Sequence, residues 1–150
     1  MSTGVTQSLL ASAGTSEHPV DVGQRTEAVI LDELVKRGYR VLLPFGVNHR
    51  YDLVLDLDGR FLRVQCKTGR VRRGCVQFNA RSIRSTTKRV HTRTYAGEID
   101  LFAVYCPANG RVYAVPIDDA TLSDCSLRLV PTRNGQAEGV RWAADYELPA

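Results

Sequence analysis

The hydrophobic and polar positions of the chain divide into one helical stretch followed by a series of alternating runs. Between Asp21 and Arg37 the apolar residues Val22, Ala28, Val29, Ile30, Leu31, Leu34 and Val35 recur at helical spacing, which predicts a helix with Asp21 as its N-cap and Gly38 placed to end it. Residues 39–43 (YRVLL) predict a short strand stopped by Pro44. Residues 51–57 and 60–68 then alternate with period two around Asp58-Gly59, a strong two-residue hairpin signal. With those two residues as the loop, Leu53 faces Val64 and Leu55 faces Leu62, so the two strands agree on one apolar face. On the other face Asp52 lies across from Gln65, with Lys67 one diagonal step away. Further strands are expected at 99–106, 111–116 and 126–131, with a short helix at 118–122 and a closing helix or strand at 140–148. Residues 1–20 are rich in Ser, Thr, Gly and Ala without periodicity and read as a flexible tail, leaving residues 21–150 as one domain. The element order predicts an α/β fold: a helix, a mixed sheet, and a basic loop or helix carried on it.

Length and composition narrow the classes. A chain of 150 residues with 43% hydrophobic and 24% charged residues builds one soluble core and excludes a multidomain assembly. The longest apolar stretch, 41–47, is broken by Pro44 and Gly46 and falls far short of the roughly 20 residues of a membrane span, so no membrane partner is expected. The N-terminus has no cationic start and only a brief apolar run, which predicts a cytoplasmic protein. Cysteines 66, 75, 106 and 125 form no C-x-x-C pair and have no histidine at ligand spacing, so they read as reduced thiols rather than a zinc site. The sequence carries no H-E-x-x-H, G-x-S-x-G, Walker or G-x-G-x-x-G pattern, which removes the common protease, hydrolase, NTPase and dinucleotide readings.

Charge distribution says more than net charge. From Gly59 to Gly97 there are eleven lysines and arginines and no acid, whereas nine cations and all sixteen acids lie elsewhere. Ordinary surfaces intersperse the two signs, so an acid-free stretch of this kind points to a polyanionic partner that trades condensed counterions for protein cations. Arg70, Arg72, Arg73, Arg81, Arg84, Lys88, Arg89 and Arg93 are the candidate DNA-binding residues.

An acid on one strand, a lysine on its hairpin partner and a second acid from a packed helix can together hold a hard divalent cation against a phosphate. Asp52, Lys67 and Glu27 have that arrangement available, with Gln65 beside Asp52. The bland alternatives are a strand-edge Asp52 paired with Lys67 or Arg50, a surface Lys67, and a solvated Glu27 beside Asp32 and Glu33. Asp100 reads equally as a helix or strand cap and as a group supporting the site, and is left out of the site; Phe78 and Tyr95 read as core aromatics rather than base contacts.

The order Glu27, then Tyr51-Asp52, then Gln65-Cys66-Lys67 on helix, strand and next strand resembles the PD-(D/E)XK nuclease superfamily, in particular its group I intron homing endonuclease branch with a Gln-x-Lys third motif. The likeness extends from about Gly23 to Tyr146 through Y-D-L-V, V-Q-C-K-T, Y-x-G-E-I-D-x-F-A-V-Y and V-Y-x-V-P. It implies a restriction-endonuclease-like core, a mixed central sheet flanked by helices, and hydrolysis of double-stranded DNA with Mg²⁺ or Mn²⁺. Glu27, Asp52, Gln65 and Lys67 would then be catalytic, the first three as metal ligands. Tyr51 replaces the proline of the motif's name, and Gln65 replaces a carboxylate. One site per chain implies a homo-oligomer, a dimer or tetramer, for double-strand cleavage. A nucleic-acid-binding module that has lost catalysis and a junction-resolving or repair nuclease are the competing readings.

Overall fold

The computed structural model describes residues 17–85, 87–120 and 123–149; of the tail expected over residues 1–20, residues 1–16 lie outside the described part, and Pro19 and Val20 belong to the first helix instead. Helix α1 (Pro19–Lys36) starts three residues earlier than expected because His18, not Asp21, caps it. The His18 Nδ1 accepts the Val20 N–H at 3.3 Å, and Pro19, with preset φ and no N–H to satisfy, occupies the first turn. Asp21 lies within that turn, where its charge complements the helix dipole. The helix ends as expected: Gly38 adopts φ 84°, and the N–H groups of Gly38 and Tyr39 return to the carbonyls of Val35 and Leu34. Its buried face is narrower than the apolar pattern implies, with Thr26, Ile30 and Leu34 inside and Ala28 and Val35 exposed.

Ten strands follow among the described residues: β1 (Arg40–Leu42), β2 (Leu53–Leu57), β3 (Arg60–Thr68), β4 (Arg70–Arg72), β5 (Cys75–Asn79), β6 (Arg81–Ser85), β7 (Val90–Thr94), β8 (Leu101–Cys106), β9 (Arg111–Pro116) and β10 (Asp124–Arg128). Five of them form a mixed sheet in the order β1-β2-β3-β8-β9, with the β3/β8 pair parallel and the other pairs antiparallel. The β2–β3 hairpin has the register read from its turn, Leu53 opposite Val64 and Leu55 opposite Leu62. Asp58 and Gly59 both take positive φ, and the Gly59 N–H donates to Asp56 Oδ1 at 2.9 Å.

The sheet separates two cores. On one side α1 brings Ile30 and Leu34 onto Leu53, Leu55, Val64, Ala103 and Val112. On the other, Phe102, Val104, Tyr113 and Val115 meet Val76, Phe78, Cys125 and Leu127. These last four belong to a second, three-stranded sheet, β10-β5-β4. The expected restriction-endonuclease-like mixed sheet is present; among the described residues α1 is the one α-helix that flanks it, and a small sheet covers the opposite face. The basic segment is likewise strands rather than a loop or helix, because Val71, Val76 and Phe78 alternate with polar residues at the strand period. Gly69 makes the change of sheet between β3 and β4. A Cβ there would stand 2.6 Å from Val76 Cγ1 and 2.9 Å from Val104 Cγ1.

The remaining expectations are met in part. Strand β10 is shifted two residues ahead of its forecast start, and a 3₁₀ turn at Ile117–Asp119 stands where a short helix was expected, its end at Leu122 lying outside the described residues. The chain closes with a 3₁₀ turn, Ala143–Asp145, and a bridge from Glu147 to Tyr113. No described helix is long and apolar enough to cross a membrane, and all four cysteines are free thiols.

Candidate active site

The β2–β3 ladder ends at Asp52. Its N–H donates to Val64 O at 2.8 Å, and beyond that bond the two strands part. The carboxylate takes the place of the missing backbone partner: Oδ2 accepts the Cys66 N–H at 2.8 Å. Asp52 is thereby pinned in the plane of the sheet at the mouth of the gap. Two opposing influences act on it. Burial raises its carboxyl above the usual range, while the Cys66 N–H and the Lys67 charge pull it back only in part.

Glu27 reaches the same region from the helix. Thr26 Oγ1 and Thr68 Oγ1 lie 2.6 Å apart in a hydrogen bond that seats α1 on the end of β3. Glu27, the next residue, then lines a cleft of about 320 Å³ with Asp52, Tyr51, Asn48, His49 and the loop from Leu43 to Val47. Burial, and then the Asp52 charge, push its carboxyl up. Both carboxylates also raise the Cys66 thiol after burial does, as expected for a side chain between them. Two acids close enough for the Asp52 charge to act on Glu27 give the cleft a negative potential suited to a cation.

Lys67 projects from the opposite face of β3. Its Nζ donates to Arg81 O at 3.1 Å and to Tyr95 Oη at 3.4 Å, and it stands 4.9 Å from the centre of the Tyr95 ring. Burial lowers its pKa to about 8, with Asp52 opposing the shift and Arg50 adding to it. Gln65, two residues before Lys67 on β3, is half-buried, with its Nε2 making a long 3.5 Å contact to Cys66 O. The structure thus brings Glu27 and Asp52 to one cleft and sets Gln65 and Lys67 on the strand beside it.

The candidate cations form two groups flanking Lys67. Arg70 and Arg72 lie on β4 and Arg73 in the turn to β5. Arg81, Arg84 and Arg93 lie on the β6–β7 ribbon, and exposed Lys88 and Arg89 in the turn joining its strands. Arg93 is not left to solvent alone, since it pairs with Glu98. The largest cleft, about 970 Å³ and lined by Arg73, Arg128 and Arg133, includes none of the residues around Asp52. Its Arg128 is held by the carbonyls of Arg73, Val130 and Pro131, so it serves the local backbone. Asp100 has a structural role: it binds the Arg63 backbone N–H at 2.7 Å and the Arg63 guanidinium at 3.1 Å, joining β3 to β8. Phe78 and Tyr95 are buried, as expected, although Tyr95 keeps its hydroxyl at Lys67. Sequence reading missed Arg50 and Glu98. Arg50 pairs with Glu98 rather than Asp52, a contact across a long sequence separation that no local spacing signals.

The donor chemistry fits a hard divalent ion. Two coupled carboxylates and a neutral carboxamide supply oxygen, and ions of the magnesium type take one or two carboxylates and complete their shell with water and substrate phosphate. Among the described residues no group of three or more His, Cys, Asp or Glu is placed to hold a metal ion.

The bacterial homing endonuclease I-Ssp6803I has a similar fold, with a TM-score of 0.67 over 83% of this chain and 85% of that one, at 24% sequence identity. No curated protein matches the chain in sequence. The family model described as PD-(D/E)XK endonuclease matches residues 17–149, which takes in α1, the diverging hairpin and the closing turn, and the chain belongs to that family.

Proposed function

We propose that this endonuclease cleaves double-stranded DNA with a divalent ion, Mg²⁺ or Mn²⁺, at the gap between β2 and β3, acting as a homing or mobile-element enzyme. The observation that carries the reading is Asp52, held in the sheet plane by Cys66 N–H and coupled to Glu27 across one cleft. Asp52 and Glu27, with the Gln65 carboxamide oxygen, are the residues that would hold the ion. A bound divalent ion would polarise the scissile phosphate and favour a nucleophilic water. Lys67, seated on Tyr95 and the Arg81 carbonyl, directs a positive charge at the phosphate oxygens as negative charge develops on them. The cations of β4 and of the β6–β7 ribbon bind the DNA backbone on either side. With one such site per chain, cleavage of both strands calls for a dimer or tetramer. The domain is proposed to span the residues from the start of α1 to the C-terminus, and four free thiols support a reducing, cytoplasmic setting.

The test is cleavage of linear duplex, plasmid and branched DNA with Mg²⁺ and with chelator, by the wild-type protein and by Asp52→Ala. The expected result is metal-dependent cleavage that falls at least about a thousandfold in Asp52→Ala while DNA binding persists. Cleavage that survives chelator or Asp52→Ala refutes the metal assignment. Binding without any cleavage favours the inactive-module reading, and strict preference for branched DNA favours a junction resolvase.

A further inference from the structure

Arg50 precedes Asp52 by two residues, yet none of its hydrogen bonds goes to the acids of the cleft. Its Nε pairs with Glu98, Nη1 donates to Ser82 Oγ at 2.9 Å, Nη2 donates to Thr94 O at 2.9 Å, and the guanidinium lies 4.2 Å from the centre of the Tyr95 ring. Ser82 belongs to β6, Thr94 to β7, and Glu98 to the turn before β8, so a single side chain grips both strands of the ribbon and the segment that follows it. Tyr95 carries two cations, because Lys67 stands over the same ring and bonds its hydroxyl, while also bonding Arg81 O at the base of β6.

The ribbon needs such a grip. Among the described residues, strands β6 and β7 pair with no other strand and form a two-stranded sheet of their own, and every described residue of β7 is exposed. A lone hairpin of this size is marginally stable in water, so its position over the active site is set by its attachments rather than by a packed face. Arginine suits the task through its planar fork of donors and a face that stacks on an aromatic ring, a combination lysine lacks.

Building on the proposed nuclease reading, we infer that Arg50 is a positioning residue for DNA cleavage: it locks the basic β6–β7 ribbon to the strand pair carrying Asp52 and Lys67, so that DNA held by the ribbon meets Lys67 in one arrangement. Each of its three nitrogens donates to a protein group, so its contribution appears in the reaction of bound DNA rather than in affinity.

The test uses the full chain and a duplex that the wild type cleaves. Dissociation constants are measured without Mg²⁺, single-turnover rates at saturating protein with Mg²⁺, and the chemical shift of the Lys67 ε-protons, which lie over the Tyr95 ring, by NMR. In Arg50→Lys the charge remains and the clamp is removed. The expected result is a Kd within about twofold of wild type, a single-turnover rate at least about tenfold lower, and a Lys67 signal displaced from its wild-type shift. Ser82→Ala, a milder variant that removes one clamp bond and keeps the fold if Arg50→Lys does not, is expected to lower the rate about two- to threefold at unchanged Kd. An unchanged rate at saturation in both variants, or a loss wholly in Kd, overturns the inference. A wild type that does not cleave rejects the nuclease reading instead, and the clamp is then judged on the Lys67 shift, which Arg50→Lys must move.

Discussion

Lys67 is destabilising where it stands, and replacing it trades activity for stability. Its pKa is lowered by burial from 10.5 to about 8, and at about 1.36 kcal/mol per unit the folded protein spends about 3 kcal/mol keeping the ammonium charged at neutral pH. Lys67→Met keeps the apolar stem and removes that cost. It also removes the bonds to Arg81 O and Tyr95 Oη, at about 0.5–1.5 kcal/mol each, which leaves a net gain of up to about 2 kcal/mol and a Tm up to roughly 8 °C higher for a chain of this size. The sign follows from the direction of the shift. The folded state releases this proton near pH 8 and the unfolded state only near 10.5, so wild-type stability, relative to the variant, is lowest below pH 8. It climbs by about 1.4 kcal/mol per pH unit between those values. Urea unfolding of both proteins from pH 6.5 to 10.5, scored as the difference between them, isolates this residue from the tyrosines that titrate in the same range. Cleavage by Lys67→Met should fall at least about a thousandfold. A variant less stable than wild type at pH 7, or a stability difference flat with pH, would refute the reasoning.

Neutralising Arg72, Arg73, Lys88 and Arg89 together should weaken binding to every duplex and flatten the plot of log K against log salt by up to about 0.9 for each phosphate that no longer meets a protein cation; an unchanged slope means these cations do not face the DNA. Gln65→Glu should tighten Mg²⁺ binding measured by calorimetry without DNA, with Asp52→Ala as the blank, whereas an unmoved affinity makes Gln65 a bystander on β3. Gly69→Ala forces a methyl to within 3 Å of Val76 and Val104 where β3 leaves the main sheet, and should cost about 1–3 kcal/mol in urea unfolding.

Sequence alone determined the parts that depend on neighbours along the chain. The helix end at Gly38 follows from the glycine's access to positive φ, and the β2–β3 register from Leu53–Val64 to Leu57–Arg60 follows from the Asp58-Gly59 turn; at Asp52 the chain leaves that register, its N–H going to Val64 O and its carboxylate to the Cys66 N–H, so the expected pairing with Gln65 is not formed. The basic stretch between residues 59 and 97 is plain in the sequence because charge can be counted without knowing the fold. Its conformation was not legible: Val76 and Phe78 are buried on a small sheet only because β8 and β9 offer them Phe102, Val104 and Tyr113 to pack on, and that complementary face comes from more than twenty residues downstream, while Val71 of the same sheet stays exposed. The helix start was misread for a local reason, two residues both able to cap, with Pro19 deciding in favour of His18. The site divides in the same way. The order of Glu27, Asp52, Gln65 and Lys67 is written in the chain, but the seat of Glu27 depends on a hydrogen bond between Thr26 and Thr68, and that of Lys67 on a tyrosine 28 residues away. Arg50 could not be foreseen at all, since its partners at Ser82, Thr94 and Glu98 are brought to it by the ribbon's path over the sheet. Tertiary structure alone decides contacts of that kind, because sequence spacing constrains only groups that share a helix, a strand or a turn.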